Sequence, residues 1–486
     1  MQLDARICDR ARRARDPRFD GTFFIAVLST GIYCRPICPS PTARNENVRY
    51  FRSAAEAAAA GFRACLRCRP EAVPGTPRWN GTASTVRRAL RLIEEGALAE
   101  EGVTSLARRL GVSARQLHRL FTSHLGASTM AVANTWRCNF ARQLLYDTDL
   151  PMSAVALASG FRTVRRFNDA IRTVYGRTPS EIRRRSAVPA RTARDEHVLH
   201  LPYRPPYDWP SMVAFLEARA IPGVEEVTAN AYRRTFREGG RTGIVEVAHD
   251  ERTRSLVAHV RSAEPAALLA IVSRLRALFD LAADPSTLVR QFRADPILGP
   301  LVARRPGLRV PGTWDPFEAW VRAALGEGLS GSASSAGALT ERFGETLPRR
   351  EGALTTVFPS AEALSAESGD GRGSGCSAAL SALCEAAAAG LLTAAESDEK
   401  AAARLAHSAG LGNAAVGYAL WRASREPDAF PSNDPALLAA APEGARSAAA
   451  LTALAERWRP WRAYAAVHLW RAAAERASAP RRKAAG

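Results

Sequence analysis

Four cysteines near the N-terminus, Cys34, Cys38, Cys65 and Cys68, are the residues whose type and spacing most directly imply chemistry. They form two close pairs, Cys-Arg-Pro-Ile-Cys and Cys-Leu-Arg-Cys, separated by a segment long enough to fold back. Each pair supplies two thiolates from one turn, and Zn2+ in a closed four-cysteine site is the usual occupant of such a pattern. The first pair follows an apolar run, Phe23 to Leu28, and stands among Arg35, Arg44, Arg49 and Arg52. One thiolate is therefore expected at a strand end among cations. It is open at this point whether the zinc is structural only or whether one sulfur is a nucleophile aimed at a phosphate-bearing partner.

The elements that must position these residues belong to a chain of 486 residues, a length that corresponds to roughly three domains. Hydrophobic content of 47% suffices for packed cores. The net charge of +19, carried almost entirely by arginine, points to a polyanionic partner, although an Ala- and Arg-rich coding bias accounts for part of it. Residues 1–17 are charged and lack the apolar core of a signal peptide, and no run is apolar enough to span a bilayer. Cys8, Cys138, Cys376 and Cys384 are scattered and do not form a disulfide framework, so a reducing, cytoplasmic location is expected.

Composition and turn signals suggest four units, over about 1–76, 82–185, 198–285 and 286–475. Ser53 to Gly61 reads as a short helix between the cysteine pairs, 183–196 as a linker, 367–375 as a mobile glycine-rich loop and 478–486 as a basic tail. In the second unit, 103–121 reads as helix, turn, helix. Leu106, Leu110, Leu117, Leu120 and Phe121 make its buried stripe, Gly111 the turn and Ser113 the cap. Arg115, Gln116 and Arg119 then face outward toward base edges and phosphates. A second copy over 152–168 packs Val155, Ala158, Phe161 and Phe167 and exposes Arg162, Thr163, Arg165 and Arg166. The third unit carries strand-like alternation near Gly243 and Ser255. His118, His124 and His259 lack metal spacing, and Trp458 and Trp461 read as core.

The tandem pair, followed by Tyr175-Gly-Arg-Thr-Pro-Ser-Glu-Ile-Arg, resembles the AraC-type regulator domain. With that domain in place, Asp20-Gly-Thr-Phe-Phe-Ile-Ala-Val, Thr30-Gly-Ile-Tyr-Cys-Arg-Pro-Ile-Cys and Ala60-Gly-Phe-Arg-Ala-Cys-Leu-Arg-Cys-Arg-Pro resemble the N-terminal domain of the Ada family of alkylation-response proteins. The resemblance implies that Cys34 takes a methyl group from a DNA phosphotriester, with Cys38, Cys65 and Cys68 as its zinc co-ligands. No Pro-Cys-His-Arg segment for O6-methylguanine repair is present.

Residues 198–475 resemble AlkA-type 3-methyladenine DNA glycosylases, through Leu201-Pro-Tyr-Arg-Pro-Pro-Tyr-Asp-Trp, Phe430-Pro-Ser-Asn-Asp-Pro-Ala-Leu and Arg457-Trp-Arg-Pro-Trp-Arg-Ala-Tyr. The resemblance implies a helix-hairpin-helix fold. It makes Asp434 the carboxylate that stabilises the oxocarbenium-like sugar, Tyr418 and Trp470 the aromatic lining for a flipped base, and Gly410 and Gly412 the phosphate-binding hairpin. Asp434 also reads as a plain helix N-cap. The family's pocket tryptophan is Ala414 here, and the wedge segment reads Gly326-Glu-Gly-Leu-Ser. Gly328 offers no wedge unless Leu329 substitutes, and Glu327 is expected to set an anion near phosphates.

The expected fold class is multidomain α+β: a small zinc α/β domain, an all-α tandem helix-turn-helix domain, an α+β AlkA-like N-terminal domain and an all-α glycosylase domain. The expected function couples methylphosphotriester sensing and transcription activation to excision of alkylated bases. The alternative is a self-methylating regulator whose C-terminal half only binds DNA. Expected partners are alkylated and promoter duplex DNA and RNA polymerase, with no membrane and a monomeric chain.

Overall fold

A computed structural model describes residues 4–478 apart from 17–18, 66, 69, 71–83, 101, 185–195, 262, 330–333, 369–377, 390, 393–398 and 425. The expected linker, glycine-rich loop and basic tail lie largely outside the described residues. Two compact units divide the chain. The first comprises 1–204, 237–276 and 281–284, and the second 205–236, 277–280 and 285–486, so the segment 198–285 contributes to both.

In the first unit, α1 (Ala5–Arg13) is capped by Asp4, whose carboxylate accepts from the N–H groups of Arg6 and Ile7. It buries Cys8 and Ala11 against Phe23 and Ile25. Strands β1 (Phe24–Val27), β2 (Ile32–Cys34), β3 (Val48–Phe51) and β4 (Arg63–Ala64) form a sheet in the order β3-β1-β2-β4. β1 is antiparallel to both of its neighbours, whereas β2 and β4 run parallel, with Tyr33 opposite Ala64. A parallel pair needs a crossover, and 35–62 supplies it, including the alanine helix α2 (Ala54–Ala59) capped by Ser53.

Both helix-turn-helix copies form. The first is α3 (Val103–Arg109) and α4 (Ala114–Leu125), the second α6 (Met152–Ala158) and α7 (Val164–Tyr175), with α5 (Thr129–Asp147) between them. Ser113 Oγ caps α4 and Thr163 Oγ1 caps α7, each accepting an N–H at 3.2 Å. Leu106, Leu110, Leu117 and Phe121 are buried as expected, with Leu120 only partly so. α4 and α7 both end on left-handed glycines, Gly126 (φ 71°) and Gly176 (φ 65°), the conformation that closes a helix without a Cβ clash. Further along, Glu196–Pro202, Ser255–Arg261 and Arg241–Asp250 pair antiparallel in that order.

The second unit is mainly helical and is built around fully buried Trp320, Trp421 and Trp458. Its helices include α8 (Trp209–Glu217), α9 (Pro316–Ala324), α10 (Glu399–Ser408), α11 (Asn413–Ala423), α12 (Pro435–Ala440) and α13 (Arg462–Ser478). A short antiparallel pair sets Glu225 opposite Arg234. The two belong to a buried ionic cluster in which Arg234 meets Glu318 at 2.9 Å and Arg322 meets Glu318 at 3.5 Å. Arg322 also meets Glu327 at 2.6 Å. Removing one member of such a cluster strands an opposite charge in the core.

Gly126→Ala tests the left-handed helix end. The new Cβ would lie 2.7 Å from the Glu56 carboxyl carbon at a positive φ. Urea unfolding is expected to show a loss of about 1–2 kcal/mol.

Candidate functional site

The parallel ladder continues beyond β2 and β4. The Arg63 N–H donates to Gly31 O at 2.7 Å and the Cys65 N–H to Tyr33 O at 2.9 Å. Cys34 and Cys65 therefore leave the same end of the sheet side by side. Cys38 comes back on a turn closed by its N–H to Arg35 O at 3.1 Å. The sulfurs of Cys34, Cys38, Cys65 and Cys68 all lie within 4.8 Å of one another, with Cys38 to Cys65 at 3.9 Å. A tetrahedron of ~2.3 Å Zn–S bonds separates its sulfurs by about 3.8 Å, so the cage matches zinc in size and in donor type.

Two arginines hold this cage from behind. The Arg35 N–H reaches Cys68 Sγ at 3.3 Å, and its side chain donates to Cys68 O at 3.0 Å and to Asp20 Oδ1 at 2.8 Å. Arg142, fully buried on α5, donates to Cys65 O at 3.2 Å. Of the cations expected around the thiolate, Arg35 is thus turned inward and Arg52 pairs with Glu56 at 3.6 Å, while Arg44 and Arg49 stay exposed. For the metal-free thiols, hydrogen bonds with Cys38, Cys65 and Cys68, and then burial, push the pKa of Cys34 up, whereas hydrogen bonds from Cys34, Cys38 and Cys68 push that of Cys65 down. Asp20 stood in a quoted motif but carried no role, and Arg142, 77 residues from Cys65, left no local signal.

On the helical copies, Arg115, Gln116, Arg119, Arg162, Arg165 and Arg166 are all exposed at the first turns of α4 and α7 or next to them. Thr163 is also exposed, but its hydroxyl serves as the cap of α7.

In the second unit Asp434 is 2% exposed and meets both of its readings at once. Oδ1 caps α12 through the N–H groups of Ala436 (2.9 Å) and Leu437 (3.1 Å), while Oδ2 accepts from the Leu329 N–H at 3.0 Å. A Cβ on residue 328 would lie 2.9 Å from Oδ2, so glycine there permits the backbone to reach the carboxylate.

The wedge segment corrects two expectations. Glu327 does not face phosphates: it is 5% exposed and its carboxylate pairs with Arg322, burial pushing its pKa up against that guanidinium. Leu329 is 1% exposed, packed in the core rather than projecting as a wedge.

Tyr418 is buried and accepts from Arg422 at 3.0 Å. Trp470, partly buried, sits edge-on to Phe215 with ring centroids 5.2 Å apart. The Arg219 guanidinium lies 3.9 Å from the Phe215 ring centroid and 5.3 Å from that of Trp470, with its pKa lowered to about 10 by burial. Phe215 and Arg219 joined the expected aromatic pair without any spacing signal. Gly410 (φ 63°) turns the chain after α10, and Gly412 precedes α11 without a side-chain cap. Both glycines are exposed, and a Cβ on either would meet nothing within 4 Å. The Gly410 N–H is used within the turn, donating to His407 O at 3.2 Å, whereas the helix start at Gly412 suits an anion.

Three family models match the chain: the metal binding domain of Ada over 7–71, a helix-turn-helix domain over 106–185 and the AlkA N-terminal domain over 198–315. The chain is 40% identical, over 97% of both sequences, to a probable bifunctional transcriptional activator/DNA repair enzyme AlkA of Mycobacterium tuberculosis. It is 38% identical over 150 residues, 30% of this chain and 40% of the relative, to the bifunctional transcriptional activator/DNA repair enzyme Ada of Escherichia coli. Over 279 residues, 56% of this chain and 95% of the relative, it is 32% identical to the Escherichia coli DNA-3-methyladenine glycosylase 2. The four clustered sulfurs are accordingly a Zn2+ site. Among the described residues no helix is long and apolar enough to cross a membrane.

Elemental analysis of the purified chain is expected to give one zinc per molecule. Cys68→Ser is expected to release its zinc to a competing chelator at least tenfold faster than wild type, since one soft ligand and its brace to Arg35 are lost together.

Proposed function

Because the chain belongs to the family of bifunctional transcriptional activator/DNA repair enzymes of the AlkA type, we propose that it senses alkylation of the DNA backbone, activates transcription in response and excises alkylated bases such as 3-methyladenine. The carrying observation is the four-sulfur cage in the same compact unit as two exposed, arginine-lined recognition helices. The proposed division is 1–76 for methyl acceptance, 82–185 for operator binding, and 198–285 with 286–475 for base excision. We place the protein in the cytoplasm as a monomer, with duplex DNA and RNA polymerase as partners.

Bound Zn2+ keeps the cage sulfurs deprotonated at neutral pH. Cys34, which closes β2, attacks the methyl carbon of a methylphosphotriester. The S–C bond forms as the C–O bond breaks, and the phosphodiester leaves with the electron pair. Cys34 becomes a neutral thioether, so the protein surface loses one negative charge and its repulsion of neighbouring phosphates falls. The transfer is single-turnover, and α4 and α7 carry its result to promoter DNA through Arg115, Gln116, Arg119, Arg162, Thr163, Arg165 and Arg166.

For base excision, the turn at Gly410 presents the Gly412 N–H to a phosphate, and the flipped base enters beside Tyr418 and Trp470. As the glycosidic bond lengthens, the base takes the electron pair and positive charge gathers on the sugar. The Asp434 carboxylate, fixed by three backbone N–H donors, opposes that charge before water adds. A second reading, a DNA-binding remnant without excision, is favoured by the missing side chain at Gly328, the buried Leu329 and the Arg219 guanidinium already set against the pocket aromatics.

A base-release assay on alkylated duplex DNA separates the two. Excision by wild type that falls roughly 100-fold or more in Asp434→Asn is expected; no release of any alkylated base by wild type leaves the remnant.

A further inference from the structure

The segment between the cysteine pairs touches the carboxyl ends of both recognition helices. Ser53 Oγ donates to Leu125 O, the last carbonyl of α4, at 3.0 Å in a buried setting. The Glu56 carboxyl group packs on Gly126, so closely that a Cβ there would lie 2.7 Å from it. Arg63 crosses Gly176 at the end of α7, where a Cβ would meet its Nη1 at 2.0 Å. Its guanidinium thereby rests at the negative end of that helix. Glu56 is the opposite charge at such an end, so its seat on α4 is one of fit rather than of dipole. Glu56 is held there by the Arg52 N–H at 2.7 Å.

A third contact runs straight from a zinc ligand. Arg142 donates to Cys65 O, and its guanidinium lies 5.2 Å from the rings of both Tyr146 and Tyr175. Tyr175 is the last residue of α7, and its hydroxyl donates to Cys138 O on α5 at 3.2 Å. A displacement of the Cys65 main chain therefore meets α5 and α7 through one buried cation.

We propose that residues 53–65 form a clasp that fixes the two recognition helices in register with the zinc cage, with Glu56, Arg63 and Arg142 as its positioning residues. The proposal rests on the sensing function given above. Under it, methylation of Cys34 reaches the operator in two ways. One is the loss of charge. The other is a shift of the Cys65 strand end that the clasp passes to the ends of α4 and α7. These residues touch neither the methyl group nor DNA. What they determine is how strongly the cage and the helices are coupled.

The test compares operator affinity of the full-length protein before and after methylation by a methylphosphotriester duplex, in wild type, Arg63→Ala and Gly176→Ala. Arg63 is exposed, and Gly176→Ala keeps every charge while driving Arg63 from its seat. Arg142→Lys is the buried, charge-preserving counterpart. Zinc content and methyl uptake are measured on each. The wild-type gain, of the order of 5- to 150-fold for an ordinary coupling, is expected to fall by about threefold or more in all three variants, with zinc and methyl uptake unchanged in Arg63→Ala and Gly176→Ala. Equal gains in wild type and variants would overturn the clasp and leave the charge change as the whole switch. Loss of zinc or methyl uptake in Arg63→Ala would overturn it too, by assigning that residue to the cage. Absence of any gain in wild type would remove the sensing function and the clasp with it.

Discussion

Four sulfurs within 4.8 Å of one another are the constraint around which the N-terminal unit is organised. Thiolates at that spacing repel, so only a cation at their centre and a rigid frame behind them hold the arrangement together. The frame is the parallel pairing of β2 with β4, which sends Cys34 and Cys65 out of one sheet end. Parallel pairing requires a crossover; that crossover meets the end of α4 through Ser53 and Glu56, and Arg63 of β4 meets the end of α7. The metal site, the sheet topology and the placement of the recognition helices are thus consequences of one another. Cys34, the proposed nucleophile, is held by three further sulfurs and two arginines that donate to the main chain of Cys68 and Cys65.

The second unit solves a related problem with the opposite means. Asp434 is a buried carboxylate with no cationic side chain paired to it among the described residues; three backbone N–H groups satisfy it instead. One of them, from Leu329, is available because residue 328 has no side chain. Two buried arginines of this unit, Arg234 and Arg322, are occupied elsewhere, in a cluster with Glu225, Glu318 and Glu327. That cluster pins Glu327 inward and so sets the path of the chain toward Asp434. The altered wedge segment and the carboxylate are parts of one arrangement.

Legibility in the sequence followed the range of the interaction. The cysteine pairs, the two helix-turn-helix stripes and the Ser113 cap are local patterns, and the structure realises them at the expected residues. The helix over 53–61 needed only an alanine run behind a serine. Interactions between distant residues left no such trace. Arg142 belongs to no local pattern, and its role emerges only with α5 packed behind Cys65. Glu327 reads as an exposed anion because Arg322, which neutralises it, gives no sign of being buried. Leu329 reads as a candidate wedge because burial depends on neighbours the local sequence does not name.

The account turns on Cys34 being the reactive sulfur among four that share one cage. Peptide mass spectrometry of the protein after incubation with duplex DNA carrying a methylphosphotriester addresses this most directly. A single added methyl group is expected, on Cys34, with Cys38, Cys65 and Cys68 unmodified. A methyl group on any of those three instead, or none at all with zinc bound, would contradict it.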